Sequence, residues 1–538
     1  MDNVNSQPFF QAGPVLGNQY TGDRALRGWL AAHLPAAVLQ DIEPGLERLG
    51  ARAAGEMLAL ATEAEANPPK HVPYDPWGRR VDRIDTCMAW RTLRRIAAEE
   101  GIVATAYERS AGEWARVHQL VRLYLYHPSS ALASCPLGMT DGAARVLELY
   151  GNAELKQQYL PHLLSRDPQA FWTSGQWMTE RTGGSDVSGT STVARVEAGG
   201  YRLYGTKWFT SATDSQLAVT LARDTAEDAG RRLSMFLLEL RNPQGNLNGI
   251  FVHRLKDKLG TRALPTAELT LEGTPAVRIG PAGHGVRAIG TVLNITRICN
   301  AVCAVSYMRR GLALAEDYAA KRQVFGRRLA DQPLHRETLA DLNAEFTGAL
   351  HLVLRVAQLL GRDECNEDSE DEQLLLRLLT PLAKLYTGKQ AVAAVSEVLE
   401  CFGGQGYIED TGLPVLLRDC QVLSIWEGTT NVLSLDVQRV LEQGRALDAL
   451  AADIDARLAK VRSTTLQAAC AGVRQGLKTV TDWHRRTMDA DARAVDARRF
   501  ACSLARVYTA ALLAEAVESG YVNADLLWRW CRAPLVCL

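Results

Sequence analysis

The hydrophobic pattern of this chain changes period twice, and that ordering restricts its fold more than any single motif. Apolar residues recur at spacings of three and four through residues 36–66 and 90–126, as on amphipathic helices. Within residues 191–211 the period drops to two, in alternating segments that flank Gly199 and Gly200, a hairpin signal. Strand-like runs follow at 217–224, 233–240 and 267–273. From about Ile289 to Leu441 the helical spacing returns, interrupted by the acidic stretch 362–373. Its charge cannot be buried cheaply, so it reads as an exposed loop between helices. Residues 445–538 are helical again and rich in Ala and Arg. The expected architecture is α+β, mostly helical. It has an N-terminal helical domain over 1–172, a middle β-domain over 173–288, a helical bundle over 289–441 and a C-terminal helical extension over 442–538. Between the first helices, residues 67–82 hold Pro68, Pro69, Pro73 and Pro76 and read as irregular, because proline lacks the amide proton that helices and central strands use. Asp75 and Asp82 bracket Arg79 and Arg80 there, as in a solvated loop.

Composition narrows the function classes. An apolar fraction of 47% and a charged fraction of 22% are those of a globular protein. No window holds the roughly 18 consecutive apolar residues of a membrane span. The start of the chain lacks the basic and then apolar regions of a signal peptide, so the expected compartment is the cytoplasm and no membrane partner is expected. The eleven cysteines are scattered without a C-x-x-C pair. Cys299 and Cys303 share a helix face with no histidine at ligand spacing, so they read as free thiols and no metal is expected. A net charge of −1 gives no overall pull toward nucleic acid, although residues 444–538 hold 14 Arg plus Lys against 10 Asp plus Glu.

Nucleotide fingerprints fail. Residues 283–290 misplace the last glycine of a dinucleotide-binding turn, and residues 200–207 have Thr206 where a phosphate-binding loop needs lysine. Three segments carry other chemistry. Residues 177–190 hold Gly183, Gly184, Ser185 and Asp186, whose backbone amides and hydroxyls suit phosphate oxygens, although a loop of this kind also occurs without a ligand. In 207–213, Trp208 is suited to cover a flat ring while Thr210 bonds its polar edge; a core tryptophan reads the same way. In 401–437, Glu427 stands between Trp426 and Gly428, close to Ile425. Apolar company raises a carboxylate's pKa, as proton abstraction near neutral pH requires.

These segments, with residues 322–326 (RQVFG) and 402–406 (FGGQG), resemble the acyl-CoA dehydrogenase family. That family shows a T-E-P-x-A-G-S-D-like loop, a K-x-W-I-T strand, an R-x-x-F-G helix, an F-G-G-x-G turn and a Y-E-G-T base motif. Here the first, second and last read TERTGGSD at 179–186, KWFT at 207–210 and WEGT at 426–429. The resemblance spans about residues 60–440. The AidB-like branch is similar in its W-E-G motif, the following Asn431, the 67–82 and 254–262 loops and the C-terminal extension. The resemblance implies a β-barrel-like middle domain, a four-helix bundle and a non-Rossmann FAD site between the β-domain and the second helical half. Thr179, Gly184, Ser185, Trp208 and Thr210 would contact the flavin and pyrophosphate, and Thr429 and Asn431 the adenine or pyrophosphate side. Arg322, Phe325, Gly403 and Gly404 would reach the FAD of a neighbouring subunit, which implies a homotetramer. Glu427 would be the base that takes the α-proton of an acyl-CoA thioester, with an electron-transfer flavoprotein as electron acceptor. Arg297, Trp426 and Gly428 would meet the substrate.

Three departures stand out. Asn294 replaces the usual aspartate three residues before Arg297, and Trp426 replaces a tyrosine, adding bulk that favours short or branched acyl groups. Arg181 replaces the loop proline, for which nothing in the sequence accounts. AidB-like proteins also suggest a second class of function, double-stranded DNA binding through the basic C-terminal extension with weak or no dehydrogenase activity. Arg485, Arg486, Arg498 and Arg499 suit it, while Asp489, Asp491 and Asp496 lie close enough to pair with them on solvated helix faces.

Overall fold

Period-two alternation builds a closed barrel. The computed structural model describes residues 11–226, 232–442 and 444–538; the N-terminal hexapeptide, on which the signal-peptide reading rests, lies outside them. The strands are β1 (Lys70–Tyr74), β2 (Arg80–Asp85), β3 (Ser174–Gln176), β4 (Val193–Glu197), β5 (Gly200–Ser211), β6 (Leu217–Asp224), β7 (Leu233–Glu239), β8 (Ile250–Leu255) and β9 (Thr266–Ile279). Pairing runs β6–β4–β5–β9–β7 and returns from β7 to β6, so five strands close a ring. β3 adds in parallel to β6, and β8 adds to β9.

Successive side chains of β6 point to opposite faces. Ala218 and Ala222 join Trp177, Leu203, Phe236 and Leu269 in one cluster. Leu217, Val219 and Leu221 join a second cluster with residues of the helices Ser134–Tyr150 and Ala153–Leu163. Each such Leu or Phe stabilises by roughly 1.5–3 kcal/mol on burial.

Two local readings are corrected. The β4–β5 turn is Ala198–Gly199, not Gly199–Gly200: Glu197 pairs Gly200, and both turn residues are left-handed (φ +48° and +82°), which matches the strand twist. Residues 67–82 are not irregular either, since most of them form the β1–β2 hairpin. Pro73 falls where the register shifts between Val72 and Tyr74, a position that needs no ladder donor. Asp82 is buried rather than solvated, accepting from Arg80 Nε at 2.7 Å and the Val252 amide at 3.1 Å, with His71 Nε2 at 2.8 Å.

The chain divides into two compact units, Gly55–Asn300 and the residues up to Ala54 together with Ala301–Leu538. The second unit is helical. Its principal helices are the later part of Gly285–Lys321, then Pro333–Cys365, Glu370–Cys401, Leu413–Leu423 and Thr430–Glu442, followed by the extension Ala446–Lys460, Gln467–Arg486, Ala490–Glu518 and Ala524–Arg532. The acidic stretch is mostly helix, and only residues 366–369 separate two helices. Asn366 ends the first in the left-handed region, and Ser369 starts the second with a capping box to Glu372. The extension is tied to the bundle through Asp453, which pairs with Arg355 at 3.2 Å and Arg457 at 2.7 Å and accepts from the Tyr508 hydroxyl at 2.7 Å. Gly285–Lys321 and Ala490–Glu518 are long and apolar enough to cross a membrane, but 72% and 83% of their apolar windows are buried within the protein, as in core helices. All eleven cysteines are free, and among the described residues no group of His, Cys, Asp or Glu could hold a metal ion.

Candidate active site

Residues 179–186 leave strand β3 as an exposed loop held from beneath by a buried carboxylate. Glu180 is 3% exposed. It accepts from the amides and hydroxyls of Ser191 and Thr192 and from Lys207 Nζ at 3.0 Å. Burial alone would raise this carboxyl, but Lys207 and the Ser191 and Thr192 donors take it down to about 2. Burial pulls the Lys207 ammonium downward while Glu180 pulls it up. Five donors converging on one carboxylate favour the ion pair. The Trp208 amide donates to the Thr179 carbonyl at 3.0 Å, joining the loop to β5. A Cβ on Gly184 would lie 2.4 Å from Thr179 Oγ1, so only glycine lets the loop fold over Thr179.

The loop brings Thr179, Gly184, Ser185 and Trp208 together, while Thr210 turns elsewhere. Its buried hydroxyl donates to the Ala267 carbonyl at 2.8 Å, so that hydroxyl serves the barrel. Trp208 is flanked by cations, with Lys256 Nζ 3.7 Å and the Arg181 guanidinium carbon 5.8 Å from its ring centroid. This accounts for Arg181, which gains the indole face as a partner. Arg297 is half-buried and Asn294 exposed on the first part of Gly285–Lys321.

In the helical unit, Trp426–Gly428 forms the turn between Leu413–Leu423 and Thr430–Glu442. Glu427 has φ +59°, a left-handed conformation rare for a side-chain-bearing residue and concentrated at functional sites. Gly428 follows at φ +105°, and a Cβ there would lie 2.9 Å from Leu433 Cδ2, so this position requires glycine. The apolar surroundings expected from the sequence are corrected in part. Ile425 is 57% exposed and Glu427 is half-buried, because the turn projects from its helix end rather than into the core. Thr429 and Asn431 are exposed at the start of Thr430–Glu442, where Thr429 Oγ1 accepts from the Val432 amide at 3.5 Å. Phe325, at φ +50° and 98% exposed, tips the short hairpin of β10 (Gln323–Val324) and β11 (Arg327–Arg328), with Arg322 half-buried at its foot. Gly403 and Gly404 begin the 3-10 turn Gly403–Tyr407 and face open space, whereas a Cβ on Gly406 would fall 1.9 Å from the Leu399 carbonyl.

Sequence reasoning missed Glu180, Lys207 and Lys384. The first two stand inside the quoted motifs. Lys384 is the lone charge in the apolar run 378–386, and its Nζ donates to the Gly428 carbonyl at 2.6 Å.

The chain belongs to the acyl-CoA dehydrogenase family, a class of flavoprotein dehydrogenases, as the comparisons with known proteins show. Residues 175–274 match the model "Acyl-CoA dehydrogenase, middle domain" and 283–442 "Acyl-CoA dehydrogenase, C-terminal domain". Residues 13–169 match "Adaptive response protein AidB N-terminal domain", and 445–538 "Acyl-CoA dehydrogenase 11 C-terminal domain-like". The chain is 44% identical to acyl-CoA dehydrogenase family member 11 of Caenorhabditis elegans, over 98% of this chain and 90% of that one. It is 36% identical to AidB of Escherichia coli K12, over 72% of each chain. The crystal structure of C. elegans ACDH-11 in complex with C11-CoA superposes with a TM-score of 0.96 at 43% identity, covering 100% of this chain and 95% of that one. The protein is thus an AidB-like, FAD-dependent enzyme of the acyl-CoA dehydrogenase type. Its residues fit the cofactor: Thr182 and Ser185 are exposed on the loop that the Trp208 amide ties down, and their hydroxyls and that indole suit a pyrophosphate and a flat ring.

Proposed function

We propose that the protein dehydrogenates an acyl-CoA thioester between its α and β carbons, with Glu427 as the base. The observation that carries this reading is the turn itself, a glutamate at φ +59° set before an obligatory glycine. Thr179, Gly184, Ser185 and Trp208 would hold FAD from the barrel unit, while the Thr210 hydroxyl stays with the Ala267 carbonyl. Thr429 and Asn431 would meet its phosphates or adenine at a helix start, where amide groups favour anions. Bound FAD supplies the hydride acceptor. Glu427 removes the α-proton, and its backbone N–H donates to the thioester oxygen as negative charge gathers there. Arg297 would face CoA, while Trp426 and Gly428 line the acyl side.

The bulk of Trp426 pointed to short or branched acyl groups. A relative 43% identical holds C11-CoA, and for this chain we therefore favour medium to long acyl groups. Phe325 and Tyr407, 98% and 86% exposed, support a homotetramer in which Arg322, Phe325, Gly403 and Gly404 reach a neighbour's FAD. An electron-transfer flavoprotein is the proposed acceptor, and the cytoplasm the proposed compartment. DNA binding has less support: Arg485 lies 3.8 Å from Asp448, Arg486 4.0 Å from Asp482 and Arg499 3.3 Å from Asp496, so these arginines face carboxylates. Anaerobic titration of the yellow holoenzyme with short, branched and C11 acyl-CoAs tests the reading. Loss of the oxidised flavin band, greatest with the longer chains, is expected; an unchanged band with every thioester would refute it. Duplex DNA binding that weakens steeply with salt would restore the alternative.

A further inference from the structure

Helix Glu370–Cys401 carries a cation that the chemistry above does not use. Lys384 is 1% exposed within a largely apolar run. An ammonium withdrawn from water is costly unless it is well partnered, so its position calls for an account. Its Nζ donates to the Gly428 carbonyl at 2.6 Å. Consecutive Cα atoms lie about 3.8 Å apart, so this bond fixes the chain within one peptide of the Glu427 backbone. Gly388 lies on the same helix face, one turn further along. A Cβ there would fall 2.9 Å from the Leu423 carbonyl, so the absent side chain lets that carbonyl rest against the helix. One helix thus grips the segment at both ends, at Leu423 through close backbone approach and at Gly428 through the ammonium. The residues between include Glu427 at φ +59°, and Gly428 itself stands at φ +105°. Such conformations persist only where surrounding contacts hold them.

We propose that Lys384 is a positioning residue: its bond to the Gly428 carbonyl holds the turn that aims the Glu427 carboxylate and backbone N–H at the thioester. This rests on the reading of Glu427 as the base. Lys384 acts through the turn and touches no reacting atom in this scheme. If it merely filled the bundle, a methionine of similar length would replace it, because exchanging a buried charge for an apolar side chain is often neutral for folding.

The test uses the FAD-loaded full-length protein with Lys384→Met and Lys384→Gln. In Lys384→Met, amide hydrogen exchange across residues 422–431 should quicken by about tenfold or more, with helix Pro333–Cys365 unchanged. Flavin reduction by acyl-CoA should slow by about tenfold or more while the thioester dissociation constant stays within about twofold. Lys384→Gln keeps an N–H donor and should fall between. Exchange across 422–431 at the wild-type rate in Lys384→Met overturns the proposal. Slowed reduction matched by an equal loss of thioester binding also overturns it. If Lys384→Met does not accumulate folded, the same two readouts on Lys384→Gln decide. A wild-type holoenzyme that no acyl-CoA reduces removes the reading of Glu427 but leaves the exchange comparison to decide whether Lys384 holds the turn.

Discussion

Glu180 and Glu427 show how one fold gives two carboxylates opposite tasks. Glu180 belongs to the barrel unit, is 3% exposed and receives five donors, which hold its carboxyl at about 2. A carboxylate stabilised to that degree is a poor base, and its use is to fix the loop above it. Glu427 belongs to the helical unit, half-buried on a left-handed backbone between two helices. Its turn is shaped by close contacts: Gly428 avoids Leu433, Gly388 admits the Leu423 carbonyl, and Lys384 binds the Gly428 carbonyl. The barrel invests in electrostatics to hold a cofactor loop still, whereas the bundle invests in backbone geometry to aim a side chain.

Substitutions that exchange these roles should produce separable losses. Glu427→Gln should lower the rate of flavin reduction by about 10²- to 10⁴-fold, the usual contribution of a general base, with FAD content and melting temperature unchanged. Glu180→Gln should do the reverse. It leaves Lys207 buried without its counter-charge, at a cost of about 3–5 kcal/mol, read as a lower urea midpoint and weaker FAD retention. The pair also carries a pH signature. The folded carboxyl lies below its ordinary value, so its stabilisation is complete above that value, about 4.3, and is lost as pH falls from there toward about 2. Between pH 7 and 5 this pair should leave the urea midpoint unchanged, and from pH 5 to 3.5 the midpoint should fall in the wild type more than in Glu180→Gln. Gly428→Ala meets Leu433 at 2.9 Å and a positive φ, for a strain of about 1–3 kcal/mol. It should slow reduction while leaving the barrel's FAD contacts intact. Phe325→Ser should change monomer stability by less than about 0.5 kcal/mol, yet shift the assembly toward smaller species in light scattering.

Much of this comparison could be read from residues alone. The change from helical to alternating period located the barrel, and WEGT at 426–429 singled out Glu427. The failures share a cause, since each depends on contacts between segments distant in sequence or on a local backbone choice. Pro73 argued against a strand, but a register shift beside Val72 removes the need for its amide. Ala198 has the same left-handed conformation as Gly199, which no residue preference announces. Glu180 and Lys207 lie 27 positions apart, and their pairing follows only from the barrel's closure. Ile425, two residues before Glu427, suggested burial, but the end of helix Leu413–Leu423 turns it outward.

The claim that most needs testing is that the Glu427 carboxylate itself removes the α-proton. A CoA thioester carrying sulfur at its third acyl position keeps acidic α-hydrogens but resists dehydrogenation, so proton removal can be followed without hydride transfer. Incubated in D₂O and followed by NMR, it should exchange its α-hydrogens in the presence of the wild-type holoenzyme and remain protiated with Glu427→Gln. Exchange by Glu427→Gln at the wild-type rate would contradict the account.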